Sequence, residues 1–375
     1  MIRTAAIVGT GLIGTSVALA LTRRGVRVHL LDIDPLAVQV ATALGAGSPN
    51  APTGPTDLAV LAVPPSAVPL VLAEQQARRL AHSYTDVASV KNAIATAAVP
   101  DEALAWDTYI GGHPMAGGTD SGPLAARSDL FEGRAWVLTP TPETSRSTFN
   151  RGLEAVALCG AVPVIMDDDE HDRAVALVSH APHAIASLLA ARLPGSSRDT
   201  LRLADHGLHD ATRIAGGDPR LWSGILEANA SAVADVLGDV AKDLDTLLDA
   251  LRDLAAGLNR SRARTVLGDV LERGLLGWDS IRRQRDHHAD QGVELRVALT
   301  DQPGELARLI ATAAELGVGR HQITADGAGG VLTARVTVGR TNAGHVALRL
   351  AEAGLHTEPP GDRVITAPDR PAVVV

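Results

Sequence analysis

The 375-residue sequence predicts an α/β protein in which a doubly wound parallel sheet is followed by an all-α region and a small α+β unit. Three patterns predict this order. Short apolar runs alternate with helical patterns over residues 1–166, helical patterns alone follow over 167–281, and the alternation of apolar residues typical of strands returns after residue 292. The length by itself favours two or three domains.

Composition narrows the class of protein. The chain is 46% hydrophobic and 21% charged, which is typical of a globular fold. Its net charge is −9 and it contains no run of basic residues, so nucleic acid and anionic membrane surfaces are not expected partners. We find neither a signal-peptide pattern nor an apolar run long enough to span a membrane, and we therefore expect a cytoplasmic protein.

The chain has one cysteine, Cys159. A single cysteine excludes an intrachain disulfide and a cysteine-rich metal site. Because Cys159 lies in the apolar run 156–160, we expect it to be buried as a small hydrophobic side chain.

The first strands are predicted by apolar runs that end at turn residues. Residues 4–8 form a strand that ends at Gly9, a helical pattern follows until Gly25, and a second strand runs from Val26 to Asp32. Further strands are predicted at Leu58–Val63, Thr85–Val87, Tyr109–Gly111, Trp136–Leu138 and Val162–Ile165. Helical stretches lie between most of them, so the sheet is expected to be covered on both faces.

A glycine motif, Gly9-x-Gly11-x-x-Gly14, joins the first strand to the first helix and predicts a Rossmann-type dinucleotide-binding domain over residues 1–166. Gly9 allows a tight turn, Gly11 lets the backbone approach a pyrophosphate at the positive end of the helix, and Gly14 lets the helix pack closely on the strand. Asp32 ends the second strand, where a carboxylate accepts a hydrogen bond from a ribose 2′-hydroxyl, so NAD is favoured over NADP. The predicted cofactor contacts are Gly9, Gly11, Leu12, Ile13, Gly14 and Asp32.

Residues 167–281 are predicted to form a helical substrate and dimerisation domain. One helix carries apolar residues at alternating steps of four and three: Val233, Leu237, Val240, Leu244, Leu247, Leu251 and Leu254. Such a seam either fills the core of its own chain or packs against a second subunit. We favour the second interpretation because the seam is long, and it predicts a homodimer.

The rest of the chain is predicted to be a separate regulatory unit. Residues 282–292 are polar throughout and are expected to form a linker. Strand, helix, two strands and helix then follow over 293–366, as in a small α+β sandwich, and residues 367–375 are expected to be a loose tail.

Three further segments carry a family resemblance: Asp86–Lys91, Gly111–Gly117, and Ser179–His183 followed by Asp210–Ala215. Together with the glycine motif, they make the first 275 residues or so resemble the prephenate dehydrogenase family, including its arogenate-using and cyclohexadienyl relatives. The segment Asp301–Leu306 and the order of elements around it resemble an ACT domain, a regulatory module that some members carry.

The resemblance implies an NAD-dependent oxidative decarboxylation in tyrosine biosynthesis. Prephenate loses a hydride from C4 to NAD, its ring carboxylate leaves as carbon dioxide, and 4-hydroxyphenylpyruvate forms. The matching base is His113, oriented by the hydroxyl of Ser89, and a neutral imidazole suits proton removal near neutral pH. The other interpretation of His113, a hydrogen-bonded core histidine, is disfavoured because the residue sits in an irregular turn at a strand end.

The same resemblance implies the substrate contacts. Arg213 matches an arginine that binds a substrate carboxylate, which suits the bidentate geometry of guanidinium, although an arginine there also suits a helix C-terminus. Trp222 is the matching aromatic nearby. Thr119 is also assigned to the substrate site. Tyrosine, as the end product of the pathway, is the expected effector of the ACT-like domain.

Three histidines, His171, His180 and His183, invite a zinc interpretation. We disfavour it because Pro182 disturbs the helical turn and no carboxylate ligands stand at fixed spacing, so no metal is predicted. The resemblance implies instead that His183 is a substrate or pocket residue, with His180 beside it.

Two departures from the family pattern bear on the substrate. Many members place an acidic residue one step before Asp120, where this chain has Thr119 after Gly118, and His209 stands where a lysine or arginine is common. An acidic residue there would face the amino group of arogenate, so its loss weakens the case for that substrate unless Asp120 takes its place, and His209 reduces the positive charge of the site. The alternatives to prephenate are arogenate and, for a specialised relative, 4-amino-4-deoxyprephenate.

Two other functions fit parts of the sequence. A generic hydroxyacid or hydroxyacyl dehydrogenase shares the cofactor fold, but Lys91 is the one lysine of the N-terminal half and its setting matches the prephenate family. A non-catalytic amino-acid sensor requires a decayed site, and the motif residues are intact: Gly9, Asp32, Ser89, His113 and Arg213.

Overall fold

A computed structural model describes residues 1–92, 104–118, 120–289, 292–299, 304–326, 332–339, 343–355 and 357–358. The chain divides into two compact units, Met1–Leu244 and Asp245–Val375. Among the described residues, no helix is both long and apolar enough to cross a lipid bilayer.

The first unit is built on a seven-stranded sheet. Its strands are β1 (Thr4–Val8), β2 (Arg27–Leu31), β3 (Leu58–Leu61), β4 (Tyr84–Asp86), β5 (Tyr109–Pro114), β6 (Ala135–Thr139) and β7 (Val162–Ile165). Their spatial order is β2-β1-β3-β4-β5-β6-β7. The strands β1 to β5 are parallel, β6 runs antiparallel to β5, and β7 is parallel to β6. This order confirms the predicted doubly wound sheet, in which the strand order switches sides between β1 and β3. The prediction of a wholly parallel sheet is wrong for β6 and β7, which run opposite to the other five strands.

Helices cover the sheet and continue beyond it. They are α1 (Leu12–Arg23), α2 (Pro35–Ala43), α3 (Val68–Ala77), α4 (Arg146–Leu158), α5 (Asp168–Val175), α6 (Ala181–Ala190), α7 (Arg198–Arg202), α8 (His206–Thr212), α9 (Pro219–Ala228) and α10 (Ala230–Ala255). The side chains of Asp34, Ser145 and Asp167 accept hydrogen bonds from first-turn amides of α2, α4 and α5, which explains where these helices begin.

Successive strand residues pack on opposite faces of the sheet. Ile7 and Val60 belong to one buried apolar cluster, whereas their neighbours Ala6 and Ala59 belong to another. A two-residue period on a strand that is buried on both faces has this result. Cys159 is 2% exposed in the first cluster, as predicted.

The parallel strands bring several chain segments to one edge of the sheet. The turn at Gly9 follows β1, Asp32 follows β2, and the segment after Asp86 follows β4. The register pairs Thr85 of β4 with Ile110 of β5, so His113, further along β5, lies beyond the end of β4. Because carboxyl ends of parallel strands meet at one edge, the glycine motif and His113 belong to the same edge.

A widened turn separates α5 from α6. Residues Ala176–His180 form a π-helical turn, and Pro182 occupies the first turn of α6. A proline has no N–H to donate to the carbonyl four residues earlier, and its ring would clash with that carbonyl in a regular helix. The wider turn removes this conflict, and turns of this kind are frequent at functional sites.

The second unit contains α11 (Arg260–Ala289) and a four-stranded antiparallel sheet. The strands are β8 (Gly292–Leu299), β9 (Ile323–Asp326), β10 (Leu332–Gly339) and β11 (Thr357–Glu358), in the order β11-β8-β10-β9, with helices α12 (Glu305–Glu315) and α13 (Ala343–Glu352). The chain order is therefore β-α-β-β-α-β. Its apolar core includes Leu295, Val297, Leu309, Val336 and Val346.

Two details of the predicted C-terminal organisation differ from the structure. Residues 282–289 of the expected linker continue α11 as helix, because this polar run contains neither glycine nor proline to end it. The strand β11 was not predicted. Residues 301–303 of the ACT-like motif, 359–366 of the predicted domain and the predicted tail 367–375 lie outside the described residues.

Candidate active site

The glycine turn has no room for side chains. Gly9 has φ +102°, and a Cβ added there would meet the backbone carbonyl of Ala62, at the end of β3. A Cβ added at Gly14 would meet the carbonyl oxygen of Gly9. A glycine is therefore required at both positions, as the motif predicts, because strand and helix approach each other too closely for any Cβ.

The turn leaves the N-terminus of α1 free for a phosphate. Gly11 is the N-cap residue, no side chain caps this end, and a Cβ at Gly11 would meet nothing within 4 Å. The Asp32 carboxylate lies next to the turn, because its Oδ2 accepts hydrogen bonds from the amide (2.6 Å) and the hydroxyl (3.0 Å) of Thr10. An open helix N-terminus beside a carboxylate fits a dinucleotide whose ribose hydroxyl meets Asp32.

A buried carboxylate, Asp86, shapes the loop that carries Ser89. Its oxygens accept hydrogen bonds from the hydroxyl of Tyr109 (2.6 Å) and from the amides of Ala88 (2.7 Å) and Gly112 (3.2 Å). The ammonium of Lys91 lies 2.5 Å from Oδ1, and both side chains are fully buried. The loop after β4 is thereby tied to β5, the strand that carries His113. Burial, followed by the charge of Asp86, raises the pKa of Tyr109 well above its ordinary value.

His113 is held by a second histidine rather than by Ser89. Its Nδ1 lies 2.9 Å from Nε2 of His171, and Nδ1 of His171 lies 2.7 Å from Oδ1 of Asp172. The rings of the two histidines meet edge to face. Within the described residues, Ser89 makes no hydrogen bond to His113, so the predicted orienting contact is not formed and the catalytic role of Ser89 stays a prediction.

The electrostatic surroundings keep His113 neutral. Burial, the positive charge of Lys91 and the neighbouring His171 and His180 hold the pKa of His113 well below its ordinary value. At neutral pH the ring is therefore uncharged and can accept a proton, as a general base must.

The other two histidines stand against one tryptophan. The ring of His183 stacks on Trp222 with centroids 3.5 Å apart, and His180 meets the same indole edge-on at 6.2 Å. Burial lowers the pKa of both imidazoles, that of His180 to about 4. Asn229 donates hydrogen bonds to Nδ1 of His180 (3.1 Å) and to the carbonyl of Asp172 (2.8 Å). Among the described residues, no group of three or more histidine, cysteine or carboxylate side chains is arranged to hold a metal ion.

Arg213 stands apart from this cluster. It begins the 3₁₀ turn Arg213–Gly216 after α8, and its side chain is exposed without a hydrogen-bond or ion-pair partner among the described residues. A Cβ added at Gly217, the residue after this turn, would meet the indole of Trp222, so the turn packs closely on the tryptophan.

A cavity of about 380 Å³ is lined by His183, Trp222 and Gly217, among others, but not by His113 or Arg213. Thr119 lies outside the described residues.

Sequence reasoning missed the roles of His171, Asp172 and Asp86. A helical signal was available for the first two, because Asp167 is a good N-cap and residues 168, 171, 172 and 175 then share one face. Val175 is buried on that face, so polar residues beside it needed partners in the interior. The contact of His171 with His113 spans 58 positions and has no local signal.

Comparisons with known proteins identify the family. The sequence matches the family model of the prephenate dehydrogenase nucleotide-binding domain over residues 17–165 and that of the prephenate dehydrogenase dimerization domain over residues 167–259. The chain belongs to the prephenate dehydrogenase family. It is 41% identical over 323 residues to the probable prephenate dehydrogenase NovF of Streptomyces niveus, covering 84% of this chain and 88% of that relative. It is 31% identical over 254 residues to the prephenate dehydrogenase of Bacillus subtilis strain 168, covering 64% of this chain and 68% of that relative.

A solved structure of the same family agrees in fold. The crystal structure of prephenate dehydrogenase from A. aeolicus in complex with hydroxyphenyl propionate and NAD+ is similar with a TM-score of 0.61 and 26% identity, covering 73% of this chain and 98% of that one. These findings confirm the predicted NAD-dependent oxidoreductase with a Rossmann-like sheet and a helical domain. The matched domains end at residue 259, before the sheet of the second unit.

Proposed function

We propose that this member of the prephenate dehydrogenase family converts prephenate to 4-hydroxyphenylpyruvate in tyrosine biosynthesis, with His113 as the base. The observation that carries the proposal is a neutral imidazole at the carboxyl edge of the sheet that also carries the dinucleotide turn. Relatives named as prephenate dehydrogenases support this substrate.

Different residues of the chain bind the cofactor and move the proton. The turn Gly9–Gly14, with the amides of Leu12 and Ile13 at the start of α1, holds the pyrophosphate, and Asp32 holds the ribose. NAD, when bound, supplies the hydride acceptor. The Nε2 atom of His113 accepts the proton of the ring hydroxyl, and Ser89 contacts the same hydroxyl.

Arg213 binds a substrate carboxylate, with His180, His183, Trp222 and Thr119 at the substrate site. Its exposed guanidinium has no partner among the described residues, so it is available to a ligand. Guanidinium suits this task because it offers two parallel N–H donors to a carboxylate.

A substrate panel tests the proposal. The full-length enzyme with NAD is offered prephenate, arogenate and 4-amino-4-deoxyprephenate in turn, and kcat/KM is measured from NADH absorbance. Prephenate is expected to give the highest kcat/KM. Faster turnover of an amino-bearing substrate would favour the alternatives that Thr119 and His209 raise.

We further propose that the β-α-β-β-α-β unit is an ACT-like regulatory domain that binds tyrosine. Its strand order, β11-β8-β10-β9, supports this proposal. Isothermal titration with tyrosine is expected to give heat and saturable binding. Heat from another amino acid together with none from tyrosine would overturn the choice of effector.

The enzyme is also proposed to be a cytoplasmic homodimer, with domains at 1–166, 167–281 and 293–366. The match to a dimerization domain over 167–259 supports the dimer. The seam on α10 supports it too, because three of its members are 39–51% exposed in a single chain: Val240, Leu244 and Leu251.

A further inference from the structure

We propose that His171 and Asp172 are positioning residues that fix the tautomer of His113, keeping its Nε2 atom free of hydrogen and able to accept the substrate proton. The inference rests on the proposed role of His113 as the base. It concerns two residues of α5 that lie 58 and 59 positions away from the base in the sequence.

The argument starts at the carboxylate. Asp172 is 2% exposed, and its two oxygens accept hydrogen bonds from the backbone amides of Lys91 (2.9 Å) and Asn92 (2.8 Å). Burial by itself would raise the pKa of Asp172, but the hydrogen bonds from His171 and from these two amides bring it below its ordinary value. The group is therefore an ionised carboxylate, which only accepts hydrogen bonds.

The hydrogen between Asp172 and His171 must then be on His171. A neutral imidazole carries one N–H, so hydrogen on Nδ1 of His171 leaves its Nε2 as an acceptor. That acceptor lies 2.9 Å from Nδ1 of His113, which must supply the hydrogen of this bond. The neutral His113 consequently carries its hydrogen on Nδ1 and a lone pair on Nε2.

The free nitrogen has the surroundings that a base needs. Among the described residues, Nε2 of His113 has no hydrogen-bond partner, so nothing competes with a substrate hydroxyl. The titratable groups that face His113 are Lys91, on the loop after β4, His171 on α5, and His180 at the π-helical turn. Burial and the positive charge of Lys91 disfavour a second proton on the ring before the reaction.

The same series of hydrogen bonds, from His113 through His171 to Asp172, stabilises the charge that proton transfer creates. The O–H bond of the substrate breaks, an Nε2–H bond forms, and His113 becomes an imidazolium. Its Nδ1–H then donates to His171, which in turn donates to the Asp172 carboxylate. A buried negative charge at the far end offsets the positive charge that develops, as in other imidazole–carboxylate pairs.

The competing arrangement has the opposite polarity. If His171 were an imidazolium, it would donate to both Asp172 and His113. The neutral His113 would then accept at Nδ1 and carry its hydrogen on Nε2, where it could not act as a base. The two arrangements share the same heavy-atom positions, so hydrogen must be located directly.

Nitrogen NMR locates the ring hydrogen of His113 without requiring turnover. The full-length protein is labelled with ¹⁵N-histidine, and the resonances of residue 113 are assigned by their loss in His113→Asn. At pH 7.5 we expect a neutral ring with hydrogen on Nδ1. Hydrogen on Nε2 would overturn the proposal whether or not the enzyme uses prephenate.

Enzyme kinetics test whether the contact with His171 supports turnover. His171→Phe removes the acceptor, and kcat for prephenate is expected to fall about 10²-fold with KM little changed, since a wrong tautomer costs up to about 10⁴-fold in a related catalytic arrangement. His171→Gln offers an amide oxygen to Nδ1 of His113 and is expected to keep at least about tenfold more activity than the phenylalanine variant.

The matched control is His82→Gln. His82 is exposed at the amino end of β4, on the side of the sheet away from the site, and this variant should keep the wild-type kcat. Full activity in His171→Phe, or no advantage of glutamine over phenylalanine, would contradict the proposal. Absence of wild-type turnover with every substrate of the panel would instead contradict the proposed function and leave the NMR result to decide the tautomer.

Discussion

The exposure of individual side chains to water defines the site as much as their contacts do. His180 and His183 are buried and His113 is partly buried, and this removal from water lowers the pKa of each imidazole. Arg213, in contrast, is exposed and has no charged partner among the described residues. Neutral bases and a free cation are what a dianionic substrate with a reactive hydroxyl requires.

Replacing the base should remove turnover without removing cofactor binding. In His113→Asn we expect kcat to fall by about 10²–10⁴-fold, the usual contribution of a general base, while the dissociation constant of NAD stays the same. Initial rates and a fluorescence titration with NAD measure the two effects. Near-full activity would show that His113 is not the base.

Arg213→Gln should have a different signature. Carboxylate binding is shared by ground and transition states, so its loss raises KM for prephenate strongly and leaves kcat much less affected. Saturation kinetics with both variants separate the two roles. An unchanged KM would assign the carboxylate to another residue.

The pH dependence of the reaction should follow His113. Its neutral form is the active one, so kcat/KM falls as pH decreases through its pKa and is level above it. Because that pKa lies well below the ordinary value of 6.5, we expect the acid limb below pH 6.5. Rates measured from pH 4.5 to 9 check this, and an acid limb centred above pH 6.5 would contradict it.

At the scale of elements, the edge of the sheet is held together by a buried ion pair. Lys91 and Asp86 tie the loop after β4 to itself, and Asp86 also binds the hydroxyl of Tyr109 on β5. The backbone of the same loop donates to Asp172 on α5. One loop therefore joins two strands and a helix that carry the site.

Breaking this pair should destabilise the fold. Lys91→Met leaves the Asp86 carboxylate buried without its cation, and we expect about 3–5 kcal/mol of lost stability in chemical denaturation. The chain has only one other lysine, Lys242, whose pair with Asp239 is exposed. Lys242→Met should leave the denaturation midpoint unchanged, and equal effects of the two substitutions would contradict the argument.

Local patterns predicted the elements well, and contacts between distant residues were not predicted. Apolar runs and glycine turns specify β1 and α1 because the physics is local to a few residues. The contact between His113 and His171 depends on tertiary packing and has no local signal, and the family resemblance implied a contact with Ser89 instead. The prediction of a linker is wrong for residues 282–289, because polarity alone does not separate a loop from a polar helix.

On the scale of the whole molecule, the exposed seam of α10 supports the proposed dimer. Apolar side chains that are half-exposed in one chain become buried when a second chain packs on them. This burial stabilises the assembly by roughly 25 cal/mol per Å² of buried apolar surface. Residues 167–259 match a dimerization domain, which agrees with this position of the seam.

A charged residue in the seam should weaken the dimer. In the double variant Leu244→Glu and Leu251→Glu we expect the molar mass measured by light scattering to shift from dimer toward monomer. Thr246→Glu, on the opposite face of α10, should leave the mass unchanged. A wild-type monomer, or a dimer that tolerates both glutamates, would contradict the proposed interface.

The hydrogen bond between residues 113 and 171 crosses the border between the two matched domains, at residues 17–165 and 167–259. Neither domain contains the imidazole pair by itself. A chimera that combines the nucleotide-binding half of one family member with the helical half of another would inherit a competent base only if the incoming helix supplied an acceptor at the position of His171. On the proposed role of His171, the two halves have to match at this point of contact.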